Sequence, residues 1–389
     1  MSRGGATEMT GNPMADFLRQ HAAGTRQELA ASDSETWRVA DLLGLANESQ
    51  RARWESLSLG YTSPDGNSLL RHRIAETYRG VRAREIIATQ GAQEALSLIF
   101  EALLTPDDHA ILILPTYPHT EHALTRRCAV TAVALEADRG WALDLDRVAA
   151  ALQPNTRLVV VNFPNNPTGA LLPPEMFNAL VSLCRSHNLI LVNDEVYRLI
   201  DRDPNRRLPC VAEVYERGIS VDAASKSLGL PGLRLGWMAT KDAAIRALVM
   251  QALYWRSSCP ASPSEMLADI ALASRELILA RNRAIALANL TSIDAFLTRH
   301  ADRFSWTRPE GSVVGYVRYL GTESVEAFTS RLAREYRVLV MPSSIWQSPL
   351  TELPRDHFRI GFGRRGGTEL LGLLAACAQQ APISADEPA

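Results

Sequence analysis

Only two of the 389 residues are lysine, Lys226 and Lys241, although lysine and arginine together number 41. A guanidinium stays charged and cannot form a Schiff base, so chemistry that needs a deprotonatable amine has two candidates. Lys241 opens a Lys-Asp-Ala-Ala run typical of an exposed helix start. Lys226 follows the apolar run Ile219 to Ala223 and precedes the Gly/Pro-rich stretch Ser227 to Gly236. Lys226 therefore has the setting of a reactive amine.

Three other polar motifs also follow apolar runs. Thr89-Gln90-Gly91-Ala92-Gln93-Glu94 leads into helix-period residues. It reads either as an ordinary helix start or as an anion site, because the first backbone N–H groups of a helix are free and sit at its positive dipole end. Asn162-Phe163-Pro164-Asn165-Asn166-Pro167-Thr168-Gly169 follows Leu-Val-Val-Val and is either a plain turn or a rigid polar surface. Asn193-Asp194-Glu195-Val196-Tyr197 ends another apolar run. Its Asp could cap a helix, or Asp and Tyr could grip an aromatic heterocycle from two sides.

The apolar runs are the elements that must position these groups. Glu85 to Thr89, Ala110 to Leu114, Leu158 to Phe163, Leu189 to Asn193 and Ile219 to Ala223 are short, unbroken and rich in Val, Ile and Leu. Between them lie helical segments such as Ala92 to Leu104 and Glu175 to His187. Strands without polar alternation, separated by helices, predict an α/β domain whose mainly parallel sheet is covered on both faces. Such sheets bind ligands beyond the carboxyl ends of their strands, where all four motifs fall. A long helical stretch from about 263 to 297 follows. Val313 to Leu320, helical Val325 to Tyr336, Val338 to Met341 and Phe358 to Phe362 then suit a smaller α+β domain. We expect an N-terminal segment, 13–50, to pack on that small domain. The large domain then spans 51–290 and the small one 291–385, with residues 1 to about 12 as a loose tail.

In this order and spacing, Asn-Pro-Thr-Gly, Asp-Glu-Val-Tyr and Ser-Lys with Arg234 eight residues beyond resemble the class I/II aminotransferase superfamily of fold-type I pyridoxal-phosphate enzymes. The resemblance covers roughly Leu59 to Gly363. It implies a seven-stranded sheet in the large domain, pyridoxal 5'-phosphate as cofactor, and Lys226 as the residue that forms the internal aldimine and then shuttles the α-proton. It further implies that Asp194 pairs with the pyridine nitrogen, that Tyr197 and Asn166 hydrogen-bond the phenolic oxygen, and that Tyr117 stacks on the ring. Gly91, Ala92, Gln93, Ser225 and Arg234 would cradle the phosphate. Arg359, within Phe358-Arg359-Ile360-Gly361, would clamp the substrate α-carboxylate together with Asn166, a task suited to a planar fork of donors. Tyr61 resembles the tyrosine that reaches the phosphate from the partner subunit, which implies a homodimer with shared sites.

Two departures bear on grip and specificity. Ala223 stands where many relatives carry a phosphate-binding serine, which shifts that task to Ser225 and Arg234. Met341 to Gln347 replaces a Pro-Gly-x-x-Phe-like loop, so the substrate is expected to be unusual in shape. His119, His122, Trp255, Arg256 and Trp346 flank these segments as candidates for reading its side chain. Pro13 to Leu18, with Trp37 to Leu45, is similar to the capreomycidine-synthase-like branch, whose members eliminate and cyclise hydroxylated arginine.

Composition narrows the field. With 46% hydrophobic residues, 22% charged residues and a net charge of −2, the chain reads as globular and lacks the clustered basic charge a nucleic acid demands. No window reaches the run of about 18 apolar residues that a membrane helix needs, and residues 1 to 8 lack the apolar core of a secretion signal; both point to the cytoplasm. Five scattered cysteines without a C-x-x-C pair suggest neither disulfides nor a metal site. No strand is followed by G-x-G-x-x-G, which disfavours a dehydrogenase, and some fifty mostly non-basic residues before the main body leave little room for a DNA-binding domain. The expectation is an aminotransferase acting on an L-amino acid. The alternative is a non-transaminating relative of specialised metabolism that performs elimination with replacement or cyclisation, for instance on a hydroxyarginine or S-adenosylmethionine.

Overall fold

The computed structural model describes residues 11–203 and 206–380. The expected tail, residues 1 to about 12, and the end of the segment 291–385 lie largely or partly outside them. Seven strands form the main sheet: β1 (Ile86–Thr89), β2 (His109–Leu114), β3 (Ala129–Ala134), β4 (Thr156–Asn162), β5 (Ile190–Asp194), β6 (Gly218–Ala223) and β7 (Gly236–Ala239). Their order is β1-β7-β6-β5-β4-β2-β3. Neighbours from β3 to β6 run parallel, and β7 is antiparallel to both β1 and β6.

Successive side chains on a strand point to opposite faces, and here both faces are apolar. Ile111, Val159, Val161 and Leu191 pack with Phe177 and Leu180 of the helix Pro174–Ser186. Leu112, Val160, Val192 and Ile219 pack with Leu96 and Ile99 of Ala92–Leu103 and with Val249 of Ala243–Arg256. The five expected strands are all present. β3 and β7 escape the sequence reading for different reasons. β3 is an alanine-rich edge strand, exposed at its start and, apart from Val133, only partly buried beyond, and β7 is four residues that begin at the end of the Gly/Pro-rich stretch.

The second sheet contains β8 (Phe304–Trp306), β9 (Val314–Tyr319), β10 (Met341–Pro342) and β11 (His357–Gly361), antiparallel in the order β10-β11-β9-β8. Phe358 and Ile360 of β11 share a core with Phe328 and Leu332 of the helix Val325–Tyr336 and with Leu290 and Ile293. The stretch read as one helix over 263–297 is two, Ser262–Ala273 and Arg275–Arg299, broken at Ser274 with no glycine or proline to announce it. The N-terminal helix Pro13–His21 packs on the turn Ser343–Trp346 and on Val325–Tyr336, whereas Val39–Leu43 lies against Ser262–Ala273 of the large domain. Between those two helices, residues 26–35 form a strap, with a turn at 28–30, that joins the domains. Its backbone pairs with Arg337 and Leu339 at one end, with Gly361 in the middle, and with Lys226 and Gly363 at the other end.

Candidate active site

A cavity of about 250 Å³ opens at the carboxyl ends of the parallel strands, under the strap. Asn162 and Asp194 end β4 and β5, Ala223 ends β6, and Lys226 follows three residues later. Ala92 and Gln93 start the helix after β1. Tyr117, Asn166, Tyr197, Ser225, Arg234 and Arg359 complete the polar lining. Residues as far apart in sequence as Ala92 and Arg359 thus meet because the sheet places its strand ends side by side and β11 reaches across from the second sheet.

Lys226 Nζ donates to Ser32 Oγ at 2.7 Å. Burial pulls its pKa down to about 8; Asp33 and Asp194 oppose the shift, and Arg359 and Arg234 reinforce it. Asp194 is pushed the other way, up to about 6, by burial, against the Val196 N–H at 3.3 Å and the charge of Lys226. Burial also raises the Tyr197 phenol, whose hydroxyl donates to the Ser32 carbonyl at 2.8 Å. Tyr117 Oη accepts from Gln93 Nε2 at 2.9 Å. Arg359 donates from Nη1 to Asn166 Oδ1 at 3.0 Å and from Nη2 to the Ala30 carbonyl at 2.8 Å, over the Trp346 ring at 5.1 Å.

Two observations mark this cavity as built for an anionic, ring-bearing guest. Gly91 is the N-cap of Ala92–Leu103 at φ +92°, and a Cβ there would stand 2.7 Å from Arg234 Nη2, so the helix start and the guanidinium converge on a spot only glycine leaves open. Arg359 Nε is buried with no partner, an orphaned charged donor that a carboxylate would satisfy. The donor set fits pyridoxal phosphate: helix start, Ser225 hydroxyl and Arg234 for the phosphate, the Asp194 carboxylate for the ring nitrogen, and the Lys226 amine for the aldehyde carbon.

Not every sequence candidate lies here. Tyr61 is 94% exposed and outside the cavity, as is Trp255, which is 85% exposed. Arg256 pairs with Glu101, His122 is exposed, and His119 is held by the Gln93 carbonyl and Ser97 Oγ. Trp346 sits beneath Arg359 rather than on the cavity wall. The strap residue Ser32 and Met14 of the first helix do line the cavity, and neither was singled out from the sequence. No local motif marks Ala31-Ser32-Asp33-Ser34; only its pairing with distant residues, Tyr197, Lys226 and Arg364, reveals it.

A family model described as Aminotransferase class I and II matches residues 38–369. The chain belongs to this family. It is 29% identical over 333 residues to an arginine–pyruvate transaminase of Pseudomonas aeruginosa, with 82% of each chain covered. It is 27% identical over 358 residues to capreomycidine synthase of Streptomyces vinaceus, covering 90% of this chain and 88% of that protein, so this likeness extends well beyond the N-terminal segment. Among solved structures, a PLP-dependent aminotransferase from Streptococcus suis superimposes with a TM-score of 0.87 at 26% identity, covering 95% of this chain and 97% of that one. The PLP-dependent cyclase OrfR superimposes with a TM-score of 0.84 at 25% identity, covering 97% and 99%. This class I/II aminotransferase is accordingly a fold-type I, pyridoxal-phosphate-dependent enzyme. Among its described residues no helix is long and apolar enough to cross a membrane.

Proposed function

We propose that the enzyme transfers the amino group of an L-amino acid to its cofactor and then to a 2-oxo acid. The observation that carries this reading is the gathering in one cavity of a buried amine of lowered pKa, Lys226, with Asp194, Arg234 and Arg359. Pyridoxal phosphate, when bound, supplies the electron sink for the bond broken at the substrate Cα. Lys226 would carry the cofactor through its amine, and that amine, when free, would take up the proton at the substrate Cα and return it elsewhere. A pKa near the working pH suits that double role. Asp194 would keep the ring nitrogen protonated, Tyr197 and Asn166 would serve the phenolic oxygen, and Tyr117 would cover the ring. The N–H groups of Ala92 and Gln93, together with Ser225 and Arg234, would hold the phosphate, and Arg359 would orient the α-carboxylate. The exposed Tyr61 belongs, in this reading, to the neighbouring site of a homodimer.

The second reading, elimination with cyclisation, is favoured by the likeness to capreomycidine synthase over 90% of the chain and to a cyclase over 97%. One experiment separates the two. Holoenzyme is mixed with arginine, hydroxylated arginines, methionine and S-adenosylmethionine, and the cofactor is identified by absorbance and mass. Accumulation of pyridoxamine phosphate is the result expected for transamination; consumed substrate with unchanged cofactor would give the function to the second reading.

A further inference from the structure

We propose that Ser32 is the resting partner of the Lys226 amine, a hydroxyl that fixes Nζ on the strap side of the cavity whenever that amine is free to move a proton. The inference rests on the assignment of Lys226 as the cofactor-bearing lysine and adds to the site a residue from outside the four motifs.

A lysine side chain is a flexible four-carbon stem, so a buried amine has a defined position only if something rigid receives its N–H groups. Ser32 is such a receiver. Its Oγ lies 2.7 Å from Nζ, and its carbonyl is fixed by the Tyr197 hydroxyl at 2.8 Å. On either side the strap is pinned by Gly361 N to the Leu29 carbonyl at 2.7 Å, Arg359 Nη2 to the Ala30 carbonyl at 2.8 Å, Ser34 N to the Lys226 carbonyl at 3.2 Å and Glu35 N to the Gly363 carbonyl at 2.9 Å. Lys226 is thus tied to this segment twice, by its side chain to Ser32 and by its backbone carbonyl to Ser34 two residues on.

The chemistry of the partner matters as much as its place. A carboxylate at 2.7 Å would trap the amine as ammonium, whereas a hydroxyl accepts from an ammonium and can also donate to a neutral amine, so it serves both protonation states. The neighbouring carboxylate, Asp33, accepts from Arg364 Nε and Nη2 at 2.9 and 2.8 Å and acts on the amine through its charge. The charged groups facing Lys226 are Asp33, Asp194, Arg359 and Arg234, with the Tyr197 phenol beside them.

The test uses the full-length chain stripped of cofactor and labelled with trace acetic anhydride across the lysine titration range. Incorporation is read by peptide mass, with Lys241 as the counter within each sample. Relative to wild type, Ser32→Ala is expected to lower the pH of half-maximal Lys226 labelling by about one unit, the scale of one lost hydrogen bond to a charge. The near-isosteric pair Ser32→Thr and Ser32→Val, which differ in the hydroxyl alone, separates this from packing: Thr should keep the wild-type midpoint and Val should follow Ala. Equal midpoints for Thr and Val, or an unmoved Ser32→Ala, would overturn the proposal. In parallel, the holoenzyme should protect Lys226 from labelling. Failure there removes the Lys226 assignment itself and leaves a shifted Ser32 midpoint as a purely local effect.

Discussion

Arg359 on β11 and Asn166 beyond β4 join the two sheets through one hydrogen bond, Nη1 to Oδ1 at 3.0 Å, while Nε of the same guanidinium is buried without a partner. The side chain is therefore poised by one edge with another in reserve, an arrangement suited to a two-oxygen guest. Arg359→Lys keeps the charge but loses the planar fork. It is expected to cost about 2 kcal/mol, roughly thirtyfold in kcat/KM, mostly through KM for the amino acid. Steady-state kinetics with the preferred donor check this; an unchanged KM would show that the α-carboxylate binds elsewhere.

Gly361 is a second point of contact between β11 and the strap. A Cβ there would stand 1.7 Å from the Ala31 carbonyl oxygen, a backbone atom that cannot swing aside. Gly361→Ala is expected to destabilise the fold by about 2 kcal/mol or more and to displace the strap that carries Ser32. Gly372, with nothing within 4 Å of its added Cβ, is the control. Gly372→Ala, inside the helix Leu371–Gln379, should be neutral or stabilising by up to about 1 kcal/mol. Denaturant melts of the two variants give the comparison, and equal midpoints would refute the tight docking of the strap.

The raised pKa of Asp194 has a signed consequence for the cofactor-free chain. Burial pushes its carboxyl up to about 6 in the fold from the ordinary 3.8, so between those values the folded state holds a proton that the unfolded state has released. Stability from this group is present at low pH and is lost as pH rises through about 6. The stability difference between wild type and Asp194→Asn should therefore move against wild type as pH climbs over that window and level off beyond it. Urea titrations at several pH values measure it; a difference that favours wild type increasingly with pH would contradict the burial of an uncompensated carboxylate.

What could be read in the sequence was local. Strands β2, β4 and β5 each contain a run of apolar residues and β6 carries Ile219 and Val221, and polar motifs lie within a few residues of the ends of β4, β5 and β6, so spacing places Asn166, Asp194, Tyr197 and Lys226 at one edge of a sheet. β3 was missed because an alanine-rich edge strand has little apolar signal. The break at Ser274 was missed because no breaker residue announces it. Ser32 was invisible for a deeper reason. Its place depends on Gly361, Gly363 and Tyr197 pairing with a polar segment that has no periodicity of its own, and such pairing exists only once both domains have formed.

The most direct measurement of the central claim is reduction of the holoenzyme with borohydride, followed by peptide mapping. One phosphopyridoxyl group per chain on the peptide containing Lys226, absent in Lys226→Ala and retained in Lys241→Ala, is the expected result. Attachment at Lys241, or a reducible link that survives Lys226→Ala, would contradict the account.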